Sequence, residues 1–185
     1  MPTTLDIKEP GLNVLPPGVE RHTVNMGGLT GLQIFPDDQI EIINEEGNQI
    51  CEIICFDKNG KSELGILSLK ENIKKSFIKE ILNNNDESSL ITKLQLKKRN
   101  LNINDSKSSI IFDKDTPSGE KVKLKSKDKC YVIFSAPKNE MLISDQNPSG
   151  DLTIFIKRAK INKDKELSII PDPVFEPNYE KNIDR

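Results

Sequence analysis

Two kinds of hydrophobic spacing divide the chain into three parts. Short segments in which apolar residues alternate with polar ones, or fill the segment, predict β-strands in the first and last parts. The middle part, residues 68–100, has apolar residues three and four positions apart, which predicts helices. The predicted strands cover residues 29–35, 39–44, 49–56, 63–67, 109–112, 120–125, 130–136 and 151–158.

The middle part predicts a pair of helices. Ser68 and Glu71 have the spacing of a capping box, so the first helix should start there and run to about Leu82. The second should end at 97–99, where three cations suit the carboxyl end of a helix. Strands on both sides of a helical pair predict a mainly β (α+β) fold, a β-sandwich or squat barrel with the two-helix insertion plugging one end.

The strand sequences also predict how the strands are arranged. Polar turn sequences at 36–38 and 45–48 favour a β-meander of the first three strands. The strand 49–56 is apolar on both faces apart from Glu52, which predicts a central strand covered on both sides. We expect strands from both ends of the chain to share one core that contains Ile50, Ile54, Val132, Phe134, Ile154 and Ile156.

Proline and glycine mark the predicted domain boundaries. Residues 1–28 hold several Pro and Gly clusters, which favour an extended N-terminal arm. Residues 29–160 should form the β domain with the helical insert 68–100. Residues 161–185 should form an extended linker or tail, because prolines recur in it and prevent a helix.

The composition fits one domain and argues against several classes of partner. A chain of 185 residues with 35% hydrophobic residues has enough apolar surface for one core. The formal net charge of -2 gives no overall attraction to nucleic acid or to an anionic membrane, so neither is expected as a partner. No apolar run approaches the ~20 residues that cross a bilayer, and the N-terminus does not resemble a signal peptide. These features predict a cytoplasmic protein, for which an oligomer is allowed.

No motif for a phosphate loop or a metal stands out. Gly60-Lys61-Ser62 resembles the end of a phosphate-binding loop, but Cys55 stands where that loop needs its first glycine. Cys51 and Cys55 on one strand would lie ~13 Å apart, too far to share a zinc ion. We therefore expect the three cysteines to be buried reduced thiols, and neither a metal nor a cofactor in this chain.

A row of lysines is the clearest charged pattern. Lys121, Lys123 and Lys125, continued by Lys127 and Lys129, fall on one side of a predicted strand. Such a row is typical of a solvated face or of an edge strand protected from pairing. An anion-binding role is the alternative, so the first three lysines are candidate binding residues.

A second set of candidates belongs to a different class of function. His22 is the only histidine, and together with Cys51 and Asp57 it would supply a cleft beneath the arm with nucleophile, base and acid. That set predicts a small metal- or Cys-assisted amidine- or urea-type hydrolase (deiminase) subunit. Arg21, next to His22, is a further candidate binding residue. None of these residues is assigned as catalytic.

Several short motifs carry a family resemblance. The segments 18–21 and 38–53 resemble the opening of the urea-carboxylase-associated family, a domain of unknown function. The segments 116–119, 134–137, 145–148 and 151–154 resemble an N-terminal module that precedes glycine-cleavage T-protein-like aminomethyltransferases. The segment 172–177 is similar to the joint that leads into the next domain of those proteins.

The resemblance implies a non-catalytic accessory or binding module. It would work with an aminomethyltransferase-type domain or subunit in one-carbon or demethylation metabolism, and tetrahydrofolate would belong to that transferase. Full-length members of the family carry a middle segment rich in His, Cys and Asp. The corresponding segment 68–99 contains no His or Cys, so the resemblance does not extend hydrolase activity to this chain.

Deletion of residues 168–185 tests whether the tail docks. Ile169, Ile170, Val174 and Phe175 are apolar, and a proline-stiffened segment loses little entropy when it binds a surface. We expect the truncated protein to have a lower melting temperature or a smaller solution mass than the full chain. If both quantities are unchanged, the tail is an idle linker.

Overall fold

The computed structural model describes residues 15–138 and 149–160. Within these residues the chain forms eight strands, two α-helices and one short 3₁₀ helix at Leu64–Leu67. The helices are α1 (Phe77–Leu82) and α2 (Glu87–Lys98). The strands are β1 (Val19–Val24), β2 (Leu29–Ile34), β3 (Gln39–Asn44), β4 (Cys51–Asp57), β5 (Ser108–Phe112), β6 (Glu120–Lys125), β7 (Cys130–Ser135) and β8 (Leu152–Lys157).

The strands form two antiparallel four-stranded sheets. The first sheet has the order β1-β8-β3-β6, and the second has the order β2-β7-β4-β5. The fold is therefore mainly β, a sandwich of two open sheets with a helical insertion, as the sequence predicts. Strands from both chain ends share the first sheet, because β8 pairs with β1 on one side and β3 on the other.

The predicted β-meander is wrong. Strand β2 pairs with β7, β3 pairs with β6 and β8, and β4 pairs with β5 and β7. The three consecutive strands thus alternate between the two sheets. The turn sequences predict where the chain reverses its direction. They do not show that each reversal here also takes the chain to the other sheet.

The main core lies between the two sheets. It is built from the inward side chains of both, and the largest fully buried ones include Ile34, Ile40, Ile53, Phe134 and Ile154. Strand β4 is central in the second sheet and its first six residues are buried, as predicted. Of the six residues expected to share one core, four do so: Val132, Phe134, Ile154 and Ile156.

A second hydrophobic cluster lies on the outer face of the second sheet. Ile54 belongs to this cluster, together with Ile78 of α1 and Leu96 of α2. The helices therefore cover a sheet face, and the prediction that they plug one end is wrong. Ile54 and its neighbour Ile53 point to opposite faces of the sheet, which explains why Ile54 is not in the main core.

The helical insert starts later than its sequence predicts. Ser68 ends the 3₁₀ helix in the left-handed conformation (φ 59°), so it is not a helix N-cap. Helix α1 is capped by Ser76, whose hydroxyl accepts a hydrogen bond from Lys79 N at 3.3 Å. The predicted strand 63–67 is replaced largely by the 3₁₀ helix. The capping-box spacing of Ser68 and Glu71 therefore does not mark the start of a helix.

The prediction of an extended N-terminal arm over residues 1–28 is also partly wrong. Residues 19–24 form β1, which pairs antiparallel with β8 along its whole length. Strand β1 contains Glu20, Arg21 and His22, which are too polar to be recognised as a strand at the edge of a sheet. Residues 1–14 and the tail 161–185 lie outside the described residues, as does the quoted motif 145–148.

No helix in the described ranges is long and apolar enough to cross a bilayer.

Replacing Phe134 with Ala tests the shared core. Its side chain is fully buried between the sheets, so loss of the ring should lower the free energy of unfolding by about 3 to 5 kcal/mol. Phe35→Ala is the matched control, because Phe35 is 41% exposed, and it should cost less than ~1 kcal/mol. Urea unfolding of both variants measures the difference. Equal losses would contradict the assigned core.

Candidate binding surface

The outer face of the first sheet carries a groove of about 690 Å³. Strand pairing aligns Arg21, Phe155, Glu41 and Lys123 in one row across the four strands. Phe155 lies at the centre of that row and is half-buried. The groove is lined by Leu15, Pro16, Val19, Gln39, Ile40, Glu41, Lys123, Leu124, Lys125, Phe155 and Lys157.

The rim of the groove is mainly basic. Lys123 Nζ lies 3.6 Å from Glu41 Oε2, and Lys125 Nζ lies 3.2 Å from Asp37 Oδ1. Both lysine side chains remain well exposed, at 80% and 62%, so these ion pairs are weak and open to exchange. Lys157 adds a third ammonium group on the same rim. An apolar floor with a cationic rim suits a ligand that has an apolar group beside a carboxylate or another anion.

The predicted lysine row is only partly brought together. Lys123 and Lys125 line the groove, whereas Lys121 lies on the same face of β6 outside it. Lys127 follows the end of β6 and lines a separate groove. Lys129 lies over the Phe35 ring, 5.7 Å from its centroid. Of the five lysines, only the three within β6 therefore share one face of the sheet.

Two candidates in β1 lie on opposite faces of the first sheet. Arg21 is exposed and stands opposite Phe155, beside the groove. His22 is half-buried on the other face, and its Nε2 lies 3.1 Å from Glu20 Oε2. His22 is therefore paired with a neighbouring carboxylate.

The three residues of the hydrolase hypothesis do not meet. Cys51 is fully buried between the sheets, and burial raises the pKa of its thiol well above its ordinary value. Asp57 is at the far end of the same strand, where its Oδ1 accepts hydrogen bonds from Asn59 N (2.8 Å) and Lys61 N (2.9 Å). His22 is in the other sheet. No shared cleft joins the three side chains.

The other two cysteines form a buried pair. Cys55 and Cys130 are both free thiols with almost no exposure. The hydrogen bond to Cys130, together with burial, raises the pKa of Cys55. A protonated thiol is a poor nucleophile, so Cys55 serves packing. In the described part of the chain no group of three or more His, Cys, Asp or Glu residues is placed to hold a metal ion.

A second groove, of about 790 Å³, lies beside Gly60-Lys61-Ser62. Its lysines come from four segments: Lys61, Lys70, Lys107 and Lys127. Glu63, Glu71 and Asp105 line the same groove, so the charge there is mixed. The three carboxylates offset most of the charge of the four lysines, so this groove is less cationic than the groove on the first sheet.

A partly buried polar centre, which sequence reasoning missed, underlies the candidate surface. Arg158 donates to both carboxylate oxygens of Glu20, at 2.8 and 3.0 Å, and to Asp38 Oδ2 at 2.7 Å. It also donates to the carbonyl oxygen of Gln33 at 2.9 Å. Asp38 is buried and accepts a further bond from Phe35 N. These contacts fix β1, β8 and the turn before β3 relative to one another.

The residues of this centre are far apart in the chain. Glu20 and Arg158 are 138 positions apart, and Asp38 and Arg158 are 120 positions apart. Asp38 follows Pro36 and Asp37 in a typical turn sequence, so its charge was attributed to the turn. An ion pair between such distant residues has no local sequence signal.

Comparison with known proteins relates the chain to part of an enzyme. No protein-family model matches it. It is 31% identical over 171 residues to trimethylamine-oxide aldolase of Ruegeria pomeroyi, and the match covers 92% of this chain and 22% of the aldolase. The chain thus spans about a fifth of the length of that relative. This similarity indicates a related family. It does not show that the chain is the urea-carboxylase-associated module that its sequence motifs resemble.

The Arg158 centre predicts a dependence of stability on pH. Burial opposes ionisation of Glu20, but the hydrogen bonds from Arg158 and His22 outweigh it, so the pKa of Glu20 lies below its ordinary value of 4.5. A carboxylate with a lowered pKa stabilises the fold above that ordinary value. This stabilisation is lost as the pH falls through the folded-state pKa.

Glu20→Gln should therefore destabilise the protein near pH 7, and the gap to the wild type should shrink as the pH falls below about 4.5. Melting temperatures across the acid range measure the gap. Glu120→Gln, at an exposed position on β6, is the control and should show little gap at any pH. A Glu20→Gln gap that stays constant with pH would argue against the ion pair as the source of the stabilisation.

Proposed function

We propose that this chain is a non-catalytic binding module that assembles with a separate catalytic domain or subunit. That partner would be a glycine-cleavage T-protein-like, folate-dependent aminomethyltransferase in one-carbon or demethylation metabolism. One observation carries the proposal: nearly the whole chain matches only about a fifth of trimethylamine-oxide aldolase. A module that accounts for so small a part of an enzyme needs the remaining part for a complete function.

The chemistry of the relative's named substrate fits one-carbon metabolism. All carbon atoms of trimethylamine oxide are methyl carbons, so an aldolase that releases an aldehyde from it must release formaldehyde. The other product is dimethylamine, and the two products account for every atom of the substrate. Formaldehyde is a one-carbon unit that tetrahydrofolate accepts, and we assign that cofactor to the partner transferase.

The positions of the reactive side chains support a binding role. Cys51 is buried, Asp57 holds a turn, and His22 is paired with Glu20. Each of these three side chains therefore has a structural role, in packing, in a turn or in a pair with a carboxylate. The groove on the first sheet, by contrast, presents an apolar floor and exposed ammonium groups to solvent.

We assign this groove to the partner transferase. The basic rim of the groove favours a partner segment that carries carboxylates. Phe155 lines the same groove, so it favours an apolar side chain between the carboxylates of that segment. Aromatic side chains at the centre of an interface contribute most of the binding affinity. Exposed charges at its edge set the association rate and the salt dependence of binding.

The assembly is tested with Lys123→Glu/Lys125→Glu. Charge reversal on the rim should weaken binding to a purified aminomethyltransferase-type partner at least ~10-fold, because like charges then face the partner. Titration calorimetry at two salt concentrations measures the change. Lys70→Glu, in the other groove, is the control and should bind as the wild type does.

Activity provides an independent test of the non-catalytic role. This chain should release no formaldehyde from trimethylamine oxide when assayed alone, with trimethylamine-oxide aldolase of Ruegeria pomeroyi as the positive control. Formaldehyde release by the chain alone would overturn the proposal. So would a partner whose affinity for the charge-reversed variant equals that for the wild type.

A further inference from the structure

Helix α2 has its polar and apolar sides reversed. The side that packs on the second sheet includes Ser89, Thr92 and Gln95, with only Leu96 as a large apolar residue. On the solvent side Leu90 and Ile91 are each 48% exposed, and Leu94 is 67% exposed. An ordinary surface helix turns its apolar residues to the core, so this arrangement needs an explanation.

The polar side of α2 is held firmly. Ser89 Oγ donates to Ile81 O at 2.8 Å, and Ser88 Oγ accepts a hydrogen bond from Leu29 N at 3.3 Å. Tyr131 Oη donates to Gln95 Oε1. The Arg99 guanidinium lies 4.5 Å from the centroid of the Tyr131 ring. The helix therefore cannot turn over to bury its leucines without losing these contacts.

The exposed residues of α2 form one stripe. Positions three and four apart share a helix face, so Glu87, Leu90, Ile91 and Leu94 align, and Lys97 and Lys98 continue the line. The stripe is acidic at its amino end, apolar in the middle and basic at its carboxyl end. No ion pair within the described residues engages Glu87, Lys97 or Lys98.

We propose that the α2 stripe binds the same stripe of a second copy, with the two helices antiparallel about a twofold axis. The axis would pass near the middle of the helix, between Ile91 and Leu94. Each apolar group then faces the apolar group of the other copy. Glu87 of each copy faces Lys97 and Lys98 of the other, which satisfies both charged ends at once.

Charge complementarity selects this occupant and this orientation. A parallel pair of the same stripes would place Glu87 against Glu87 and lysine against lysine, which is repulsive. The antiparallel pair also sets the two helix dipoles in opposite directions. Because a twofold contact uses each residue twice, a short stripe contributes two equivalent sets of interactions.

The first experiment measures the solution mass of the full chain by sedimentation over a range of concentrations. We expect a reversible monomer–dimer equilibrium. Leu94→Gln should raise the dissociation constant at least ~10-fold, because each dimer buries this leucine twice. Its melting temperature, measured at a concentration where the wild type is also monomeric, should be unchanged, since Leu94 is 67% exposed.

Lys121→Gln is the control. Lys121 is exposed on β6 of the other sheet, away from α2, so the variant should dimerise as the wild type does. A chain that stays monomeric at all concentrations overturns the proposal, whether another part of the chain or a different protein covers the stripe. A dimer that Leu94→Gln leaves intact also overturns it, since another surface must then form the contact.

A charge swap tests the antiparallel orientation. Glu87→Lys alone should weaken the dimer, as should Lys97→Glu/Lys98→Glu alone. The triple variant reverses both ends of the stripe and should restore dimerisation to near the wild-type level. Failure of the triple variant to recover, with the helix content of each variant unchanged, would exclude the proposed pairing.

Discussion

The first sheet depends on the insertion of β8 between β1 and β3. Strand β1 has no other strand partner among the described residues, and β3 pairs with β6 on its other side. The last described strand therefore joins two segments from the start of the chain. Such a contact requires a long loop to close, at an entropic cost that local contacts do not carry.

Arg158 secures this arrangement directly after β8 ends. Four of its five guanidinium N–H groups donate to two carboxylates and a backbone carbonyl, from β1, from the turn before β3 and from β2. Asp38 is buried and Arg158 is only 19% exposed, and a charge held away from water is costly without its partner, so the centre is most stable when all three segments are in place. It therefore favours one register of β8 over shifted ones, in which Arg158 would lack its partners.

A second buried carboxylate joins the helices to the second sheet. Glu52 has no exposure, and it accepts Ser76 Oγ at 2.6 Å and Ile78 N at 2.8 Å. The backbone bond goes to one of the free N–H groups at the start of α1, where a negative charge is also favoured by the helix dipole. Glu52 thus helps to define where α1 begins, and the N-cap Ser76 lies eight residues beyond Ser68.

The parts of the fold that follow from local pattern could be predicted from the sequence. Alternating and continuous apolar runs located β2 to β8 to within two residues at each end, and the lone Glu52 in β4 did not hide that strand's central position. Strand β1 was missed because four of its six residues are charged or polar and its structure depends on pairing with β8. The sequence also could not show that β2, β3 and β4 alternate between sheets, since their turns do not encode the partner strand.

The candidate surface was predictable only in its charge. Lys121, Lys123 and Lys125 were evident from their spacing, but Phe155 was one more apolar residue in a strand. Its place beside Lys123 depends on β8 pairing with β3 and on β3 pairing with β6. Both are long-range pairings. For the same reason the sequence alone allowed a site of Cys51, Asp57 and His22, although Cys51 and Asp57 lie at opposite ends of β4 and His22 lies in the other sheet.

The order of the layers gives the two candidate surfaces independent roles. The helices cover the outer face of the second sheet, the main core lies between the sheets, and the groove lies on the outer face of the first sheet. The α2 stripe and the groove therefore face away from each other across the sandwich. A dimer joined through α2 would leave both grooves on its outside, so self-association would not compete with the proposed partner binding. Such a dimer would hold two partner domains at once, and binding to a clustered partner would gain from effective concentration without any new contact.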